Sequence, residues 1–148
     1  MKVKHILLCL ILISTMFSTM GCRLIFEPDV DAVSRLYASM PTGDNRVVRE
    51  MCSGDDVCKK INTVAGIVKS SWYVNKKDFF TITQVEIAED TGYSYVHTQI
   101  RLPGAAGQED TMLPLVFEME RIKLRWYIYS VDGIEEFIRR AERNRGIL

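Results

Sequence analysis

The sequence predicts an α+β fold: N-terminal helices packed on a curved antiparallel sheet of about four strands, followed by a C-terminal helix. Three observations carry that reading. Over residues 29–72, apolar residues recur at three- and four-residue spacing, the period of a helix buried along one stripe. Over 79–131 the period drops to two, and Phe, Thr, Val, Ile and Tyr dominate, as suits half-buried strands. After Asp132 the helical period returns. Helices grouped apart from consecutive strands favour a layer of helices over one face of a sheet.

In chain order, Val30, Val33, Leu36, Tyr37 and Met40 form the apolar face of a first helix, with Asp29 as its expected N-cap and Pro41 and Gly43 as its stop. Asp44 or Asn45 opens a short second helix with Val47, Val48, Met51 and Cys52 inward, broken at Gly54 and Asp55. The third helix has the clearest pattern: Val57, Ile61, Val64, Ala65, Val68 and Trp72 share a face that excludes Lys59, Lys60 and Lys69.

The first strand is expected over 79–88, and Glu89-Asp90-Thr91-Gly92 is a hairpin turn. In the second strand, over 93–102, Val96, Ile100 and Leu102 share one face, and Tyr93, Tyr95, His97, Gln99 and Arg101 the other. The loop 103–108 is followed by a strand over 111–120, in which Pro114 removes a ladder donor and marks an edge or a bulge. A turn near 121–123 leads to a fourth strand over 124–131, where alternation sends Trp126 and Ile128 one way, Tyr127 and Tyr129 the other. Asp132 is placed to cap a last helix with Ile134, Phe137, Ile138 and Ala141 inward, ended by Gly146.

Ahead of the domain, Lys2 and Lys4 precede an apolar run of about a dozen residues, 6–17. A spanning helix needs about 20 apolar residues, so this run reads as a secretory leader. The chain then divides into a leader (1–21), a tether (22–28) and a single domain (29–148). Without Lys2 and Lys4, 17 Lys and Arg stand against 19 acidic residues, a balance that argues against a general polyanion or nucleic-acid binder. Arg139, Arg140, Arg143 and Arg145 crowd the C-terminus, where they suit the negative end of a helix dipole better than a headgroup contact. Arg121, Lys123 and Arg125 adjoin Glu118 and Glu120 and read as a solvated hairpin end.

Cys52 and Cys58 remain once the leader's Cys9 and the junction's Cys22 are set aside. In an exported chain this closely spaced pair is read as a structural disulfide rather than two free thiols, contributing roughly 2–3 kcal/mol. The spacing is not a zinc pattern and His97 is the one histidine beyond the leader, so no metal and no cofactor are expected.

Two resemblances add to these readings. Thr19-Met20-Gly21-Cys22 resembles the lipobox of bacterial lipoproteins, with Gly21 and Cys22 matching and Thr19 and Met20 departing from the usual residues. That implies a diacylglyceryl group on Cys22, the new N-terminus, and membrane attachment through lipid. Each buried CH₂ of an anchor contributes about 0.8 kcal/mol, so two or three chains hold stably where one does not. Arg23 is not the Asp of inner-membrane retention, which implies a periplasm-facing position on an outer membrane. The stretches 31–38 and 43–44, with the closing 124–131, resemble nuclear-transport-factor-like domains, which share the cone fold of ketosteroid isomerase and the polyketide cyclases. The resemblance spans about 29–131 and implies a cavity between helices and sheet.

No phosphate loop, nucleophile elbow or metal-spaced histidine pair is present. Isomerases of that fold pair a carboxylate base with a Tyr and a protonated acid, and Glu86, Glu118 and Glu120 match no such set. His97 is the sole acid-base candidate of its type, and a half-exposed His on a sheet face accounts for it. Tyr93, Tyr95, His97, Arg101, Tyr127 and Tyr129 form a candidate partner or ligand surface, with ordinary sheet surface an equal reading. The expected function is a lipid-anchored envelope binding or assembly module, not an enzyme, with an envelope protein as partner. The alternatives are a carrier or isomerase-like enzyme using an apolar cavity, and an anchored inhibitor of a toxin.

Overall fold

The computed structural model describes residues 29–70, 78–88 and 91–146. The leader, the tether with Cys22, Trp72, and Glu89 and Asp90 of the first hairpin lie outside the described residues.

Three helices come first: α1 (Asp29–Ser39), α2 (Asn45–Met51) and α3 (Asp55–Lys69). Four strands follow: β1 (Phe80–Ala88), β2 (Tyr93–Leu102), β3 (Thr111–Ile122) and β4 (Arg125–Asp132). Helix α4 (Ile134–Asn144) closes the chain. The strands form one antiparallel meander in the order β1-β2-β3-β4. This is the α+β arrangement expected from the sequence, including the C-terminal helix.

The helix faces follow from residue spacing. Ala32, Val33, Leu36 and Tyr37 of α1 are fully buried, as are Val48 and Met51 of α2 and Ile61, Val64 and Val68 of α3 to within 1%. They meet one face of the sheet: Val96, Ile100 and Leu102 of β2, Leu113, Leu115, Phe117 and Met119 of β3, and Ile128 and Val131 of β4. Phe137 and Ala141 of α4 join the same cluster. Burying side chains of this size contributes about 1.5–3 kcal/mol each, so this single core supplies most of the driving force. The opposite sheet face has no helix on it among the described residues.

Two polar contacts fix how α1 lies on β2. The Ser94 hydroxyl donates to Asp29 Oδ2, and the hydroxyls of Tyr37 and Thr98 bond at 2.8 Å. Eight helical residues advance about 12 Å and four strand residues about 13 Å, so one helix register satisfies both contacts. Asp29 is therefore more than the expected cap. It is 5% exposed, its Oδ1 accepts from the Val30 N–H at 2.8 Å, and its other oxygen reaches the sheet.

The last helix departs from expectation at its start. Asp132 ends β4, and Gly133 occupies the N-cap with φ 82°. Asp132 Oδ1 accepts from the adjacent Gly133 N–H, at 2.9 Å. A Cβ at position 133 would stand 2.5 Å from the Pro114 carbonyl oxygen, so the chain turns here on a glycine. Pro114 lies where β3 has no β4 partner, since that pairing begins at Val116↔Asp132, so the edge reading of this proline holds locally.

Two bulges bend the sheet, one near Thr83 in β1 and one at Tyr129 in β4. The second changes the expected alternation. Met119 pairs with Ile128 but Glu118 with Ser130, so Tyr129 is left unpaired and Val131 turns inward. Cys52 and Cys58, expected to form a disulfide, lie at disulfide distance, with Cα atoms 5.5 Å apart. Cys52 bridges Ile128 at the outer edge of β4, and the Ser53 N–H donates to the Ile128 carbonyl at 2.9 Å. The disulfide thus fastens the segment that covers part of an otherwise open edge.

Candidate functional site

The uncovered face of the sheet is where the sequence-derived candidates gather. Residues 93, 95, 97, 99 and 101 alternate outward along β2, while Ser94, Val96, Thr98, Ile100 and Leu102 are buried beneath them. The register then sets their neighbours. One row across the sheet reads Ala88, Tyr93, Glu120, Tyr127; the next reads Glu86, Tyr95, Glu118, Ser130; the third reads Gln84, His97, Val116, Asp132. Adjacent strands lie about 4.8 Å apart, so side chains within a row are in reach of one another.

Tyr93, Tyr95 and Tyr129 are 39%, 37% and 56% exposed, large apolar areas for a sheet surface, and Tyr127 is half-buried. Tyr129 stands apart on its bulge at the β4 edge; Tyr93, Tyr95 and Tyr127 occupy the paired rows. His97 is half-buried, and its Nε2 lies 3.3 Å from Glu86 Oε1, shielded from solvent but not aligned for a hydrogen bond. Gln84 Nε2 donates to the same Glu86 oxygen at 2.8 Å. His97 thus sits half-buried on the sheet beside Glu86 of the neighbouring row, the carboxylate that also accepts from Gln84.

Arg101 belongs to a different task. Its Nη1 lies 3.6 Å from Asp110 Oδ2 and its Nε donates to the Asp78 carbonyl at 3.3 Å, tying the start of β1 to the 103–110 loop. The structure therefore brings Tyr93, Tyr95, His97 and Tyr127 together and separates Arg101 from them.

Glu118 and Glu120 share the face with these tyrosines, which the sequence reading did not use. The signal was available: Leu113, Leu115, Phe117 and Met119 face inward, which sends 118 and 120 outward. With Glu86 and Asp132, the face is acidic and aromatic, a surface suited to cationic side chains by charge and by attraction to ring faces.

Around the β4 edge this surface runs into a groove of about 720 Å³, lined by Asp56, Lys60, Glu118, Asp132, Glu135 and Arg139 among others. Lys60 Nζ lies 2.9 Å from both Asp56 and Glu135, and these partners, Glu135 foremost, raise its pKa. Glu136 is paired with Arg139 and Arg140. Among the described residues, no group of three or more His, Cys, Asp or Glu side chains is placed to hold a metal ion.

The space between α1 and the sheet is packed. The Tyr37 ring stacks on Phe80 at 4.2 Å between centroids, with Phe79 and Phe117 edge-on at 5.9 and 5.6 Å. Burial raises the Tyr37 pKa far above its usual value, the Thr98 hydrogen bond offsetting part of this. Trp126 packs half-buried at the margin of the core, with the Arg121 guanidinium 6.0 Å from its ring centroid.

The fold and the open face define a class: an α+β domain covered by helices on one side of its sheet and presenting the other. Comparison of the chain with protein-family models, curated proteins and solved structures found no match. Among the described residues, no helix is long and apolar enough to cross a membrane.

Proposed function

We propose that this chain is a lipid-anchored, periplasm-facing envelope module of the outer membrane, without catalytic activity, that binds a protein partner on the open face of its sheet. The observation that carries this reading is the one-sided packing. Among the described residues, all four helices serve one sheet face, and the other presents Tyr93, Tyr95 and Tyr127 in register with Glu118 and Glu120. Tyrosines supply large contact area at low conformational cost, and carboxylates between them select a cationic partner.

A ligand cavity is the competing use of such a fold. Against it stands the aromatic cluster of Tyr37, Phe79, Phe80 and Phe117. The polar groups under α1 also satisfy one another, Asp29 with Ser94 and Tyr37 with Thr98.

The test is quantitative co-purification from detergent-solubilised envelopes of the source cells. Tyr95→Ala with Tyr127→Ala is expected to reduce the recovered partner at least ten-fold without altering the melting temperature. Unchanged recovery would remove this face from the account. Mass spectrometry of the mature N-terminus tests the anchor: a diacylglyceryl group on Cys22 is expected, and an unmodified Cys22 contradicts it.

A further inference from the structure

The β3–β4 hairpin ends in Arg121-Ile122-Lys123-Leu124-Arg125, cations alternating with aliphatic residues. All five are exposed, and Ile122 and Leu124 are 45% and 51% exposed, among the largest apolar exposures of the described residues. Lys123 has φ 59°, the one non-glycine residue with positive φ among the described residues. That region is the one glycine favours, so the turn keeps a lysine at its apex against its backbone preference. Such departures concentrate where the side chain has a use.

The position of this tip decides what that use is. The N-terminal end of the described chain, Asp29, is held to Ser94, which pairs with Met119 of β3. From Met119 the strand continues three residues to Ile122, about 10 Å, so the tip projects past the point where the tether joins the domain. The tether, residues 22–28, spans at most about 25 Å at full stretch. A surface holding Cys22 is therefore within reach of the hairpin. Ile87, 59% exposed, lies at the same end, since it pairs with Ser94. The C-terminal arginines lie at the other end: Asn144 donates to the Pro103 carbonyl, beyond Leu102, eight residues along β2 from Ser94.

We propose that the 121–125 hairpin is a second membrane contact, with Ile122 and Leu124 entering the interface of an anionic bilayer and Lys123 and Arg125 lying among its headgroups. Alternating aliphatic and basic side chains on a projecting turn suit both layers of that interface. The contact orients the domain hairpin-down, leaving the Tyr95 face standing along the membrane normal. The inference rests on the lipid-anchor reading and makes no use of the tyrosine face.

The test uses the mature, natively processed protein reconstituted into vesicles of phosphatidylethanolamine and phosphatidylglycerol, or of phosphatidylcholine alone. A fluorescent amino acid is placed at Leu124, or as a control at Ala106 in the loop at the far end. Nitroxide-labelled lipid is the quencher, flotation reports attachment, and mass spectrometry reports Cys22. The expected result is quenching at 124 at least three-fold greater than at 106, reduced in neutral vesicles and abolished by Ile122→Asp. Flotation with equal quenching at the two positions overturns the hairpin contact and leaves the anchor standing. Strong quenching at 124 by protein with unmodified Cys22 upholds the hairpin and overturns the anchor. Absence of flotation overturns both. A concentration-dependent shift at 124 without vesicles assigns the tip to a second copy of the chain and overturns the proposal.

Discussion

Tyr37 and Thr98 meet hydroxyl to hydroxyl at 2.8 Å beneath the sheet, and the Thr98 hydroxyl donates to the Leu115 carbonyl at 3.2 Å. This chain crosses from α1 through β2 to β3 beside the aromatic rings of Phe80 and Phe117. It converts a non-directional apolar contact into a defined register. Replacing Tyr37 by Phe leaves the ring and removes the hydroxyl. The expected loss is about 1–2 kcal/mol in urea unfolding, one net hydrogen bond plus the unmet Thr98 oxygen.

Tyr37 also sets an alkaline limit. Its folded pKa is raised by burial above the ordinary 10.0, at which the unfolded tyrosine ionises. Between those two values the unfolded chain binds fewer protons than the folded one, so raising pH favours unfolding. The stability from neutral Tyr37 is complete below about pH 10 and falls above it, by up to about 1.4 kcal/mol per pH unit. Unfolding curves from pH 8 to 11 are expected to show this decline in the native protein and a shallower one in Tyr37→Phe.

The second contact under α1 involves a carboxylate, so its loss costs more. Ser94→Ala leaves Asp29 Oδ2 buried without that donor. A cost of about 1.5–3 kcal/mol is expected by chemical denaturation, with Asp29→Asn combined with Ser94→Ala less than additive.

Reducing Cys52–Cys58 is expected to lower stability by about 2–3 kcal/mol. The loss has a local signature. The Ser53 N–H, bonded to the Ile128 carbonyl, is expected to lose hydrogen-exchange protection before the central β2–β3 amides do.

Gly133→Ala tests the turn into α4. A Cβ would press on the Pro114 carbonyl while the backbone holds φ 82°. Destabilisation of at least about 1–2 kcal/mol is expected by thermal or urea unfolding, whereas Gly66→Ala, inside α3 with nothing within 4 Å of its Cβ, is expected to be stabilising by about 0.5–1 kcal/mol.

The layers of this fold were legible because periodicity reports burial directly. The alternation of β2 placed Val96 inward and Tyr95 outward, and the stripe from Ile61 to Val68 marked α3. What escaped depended on contacts between elements. The β4 bulge that frees Tyr129 arises from pairing with β3, and alternation within β4 gives no sign of it. Asp132 had the chemistry of a cap, but the close approach of Pro114 put Gly133 there instead. Arg101 shared the outward phase of Tyr95, yet Asp110 and Asp78 draw it away, and both belong to loops whose path the sequence leaves open. Glu118 and Glu120 were visible as acids beside a basic turn; only the β2–β3 register sets them against tyrosines.

The most direct test of the central claim, that the open sheet face is the binding surface, is site-specific photo-crosslinking in the source cells. A benzophenone amino acid is placed at Tyr95 or Tyr127 on the face, and at Glu50 or Lys59, exposed on the helical side, as controls. A discrete protein adduct is expected from positions 95 and 127 and none from 50 and 59. The same adduct from the helical positions, or no adduct from 95 and 127, would contradict it.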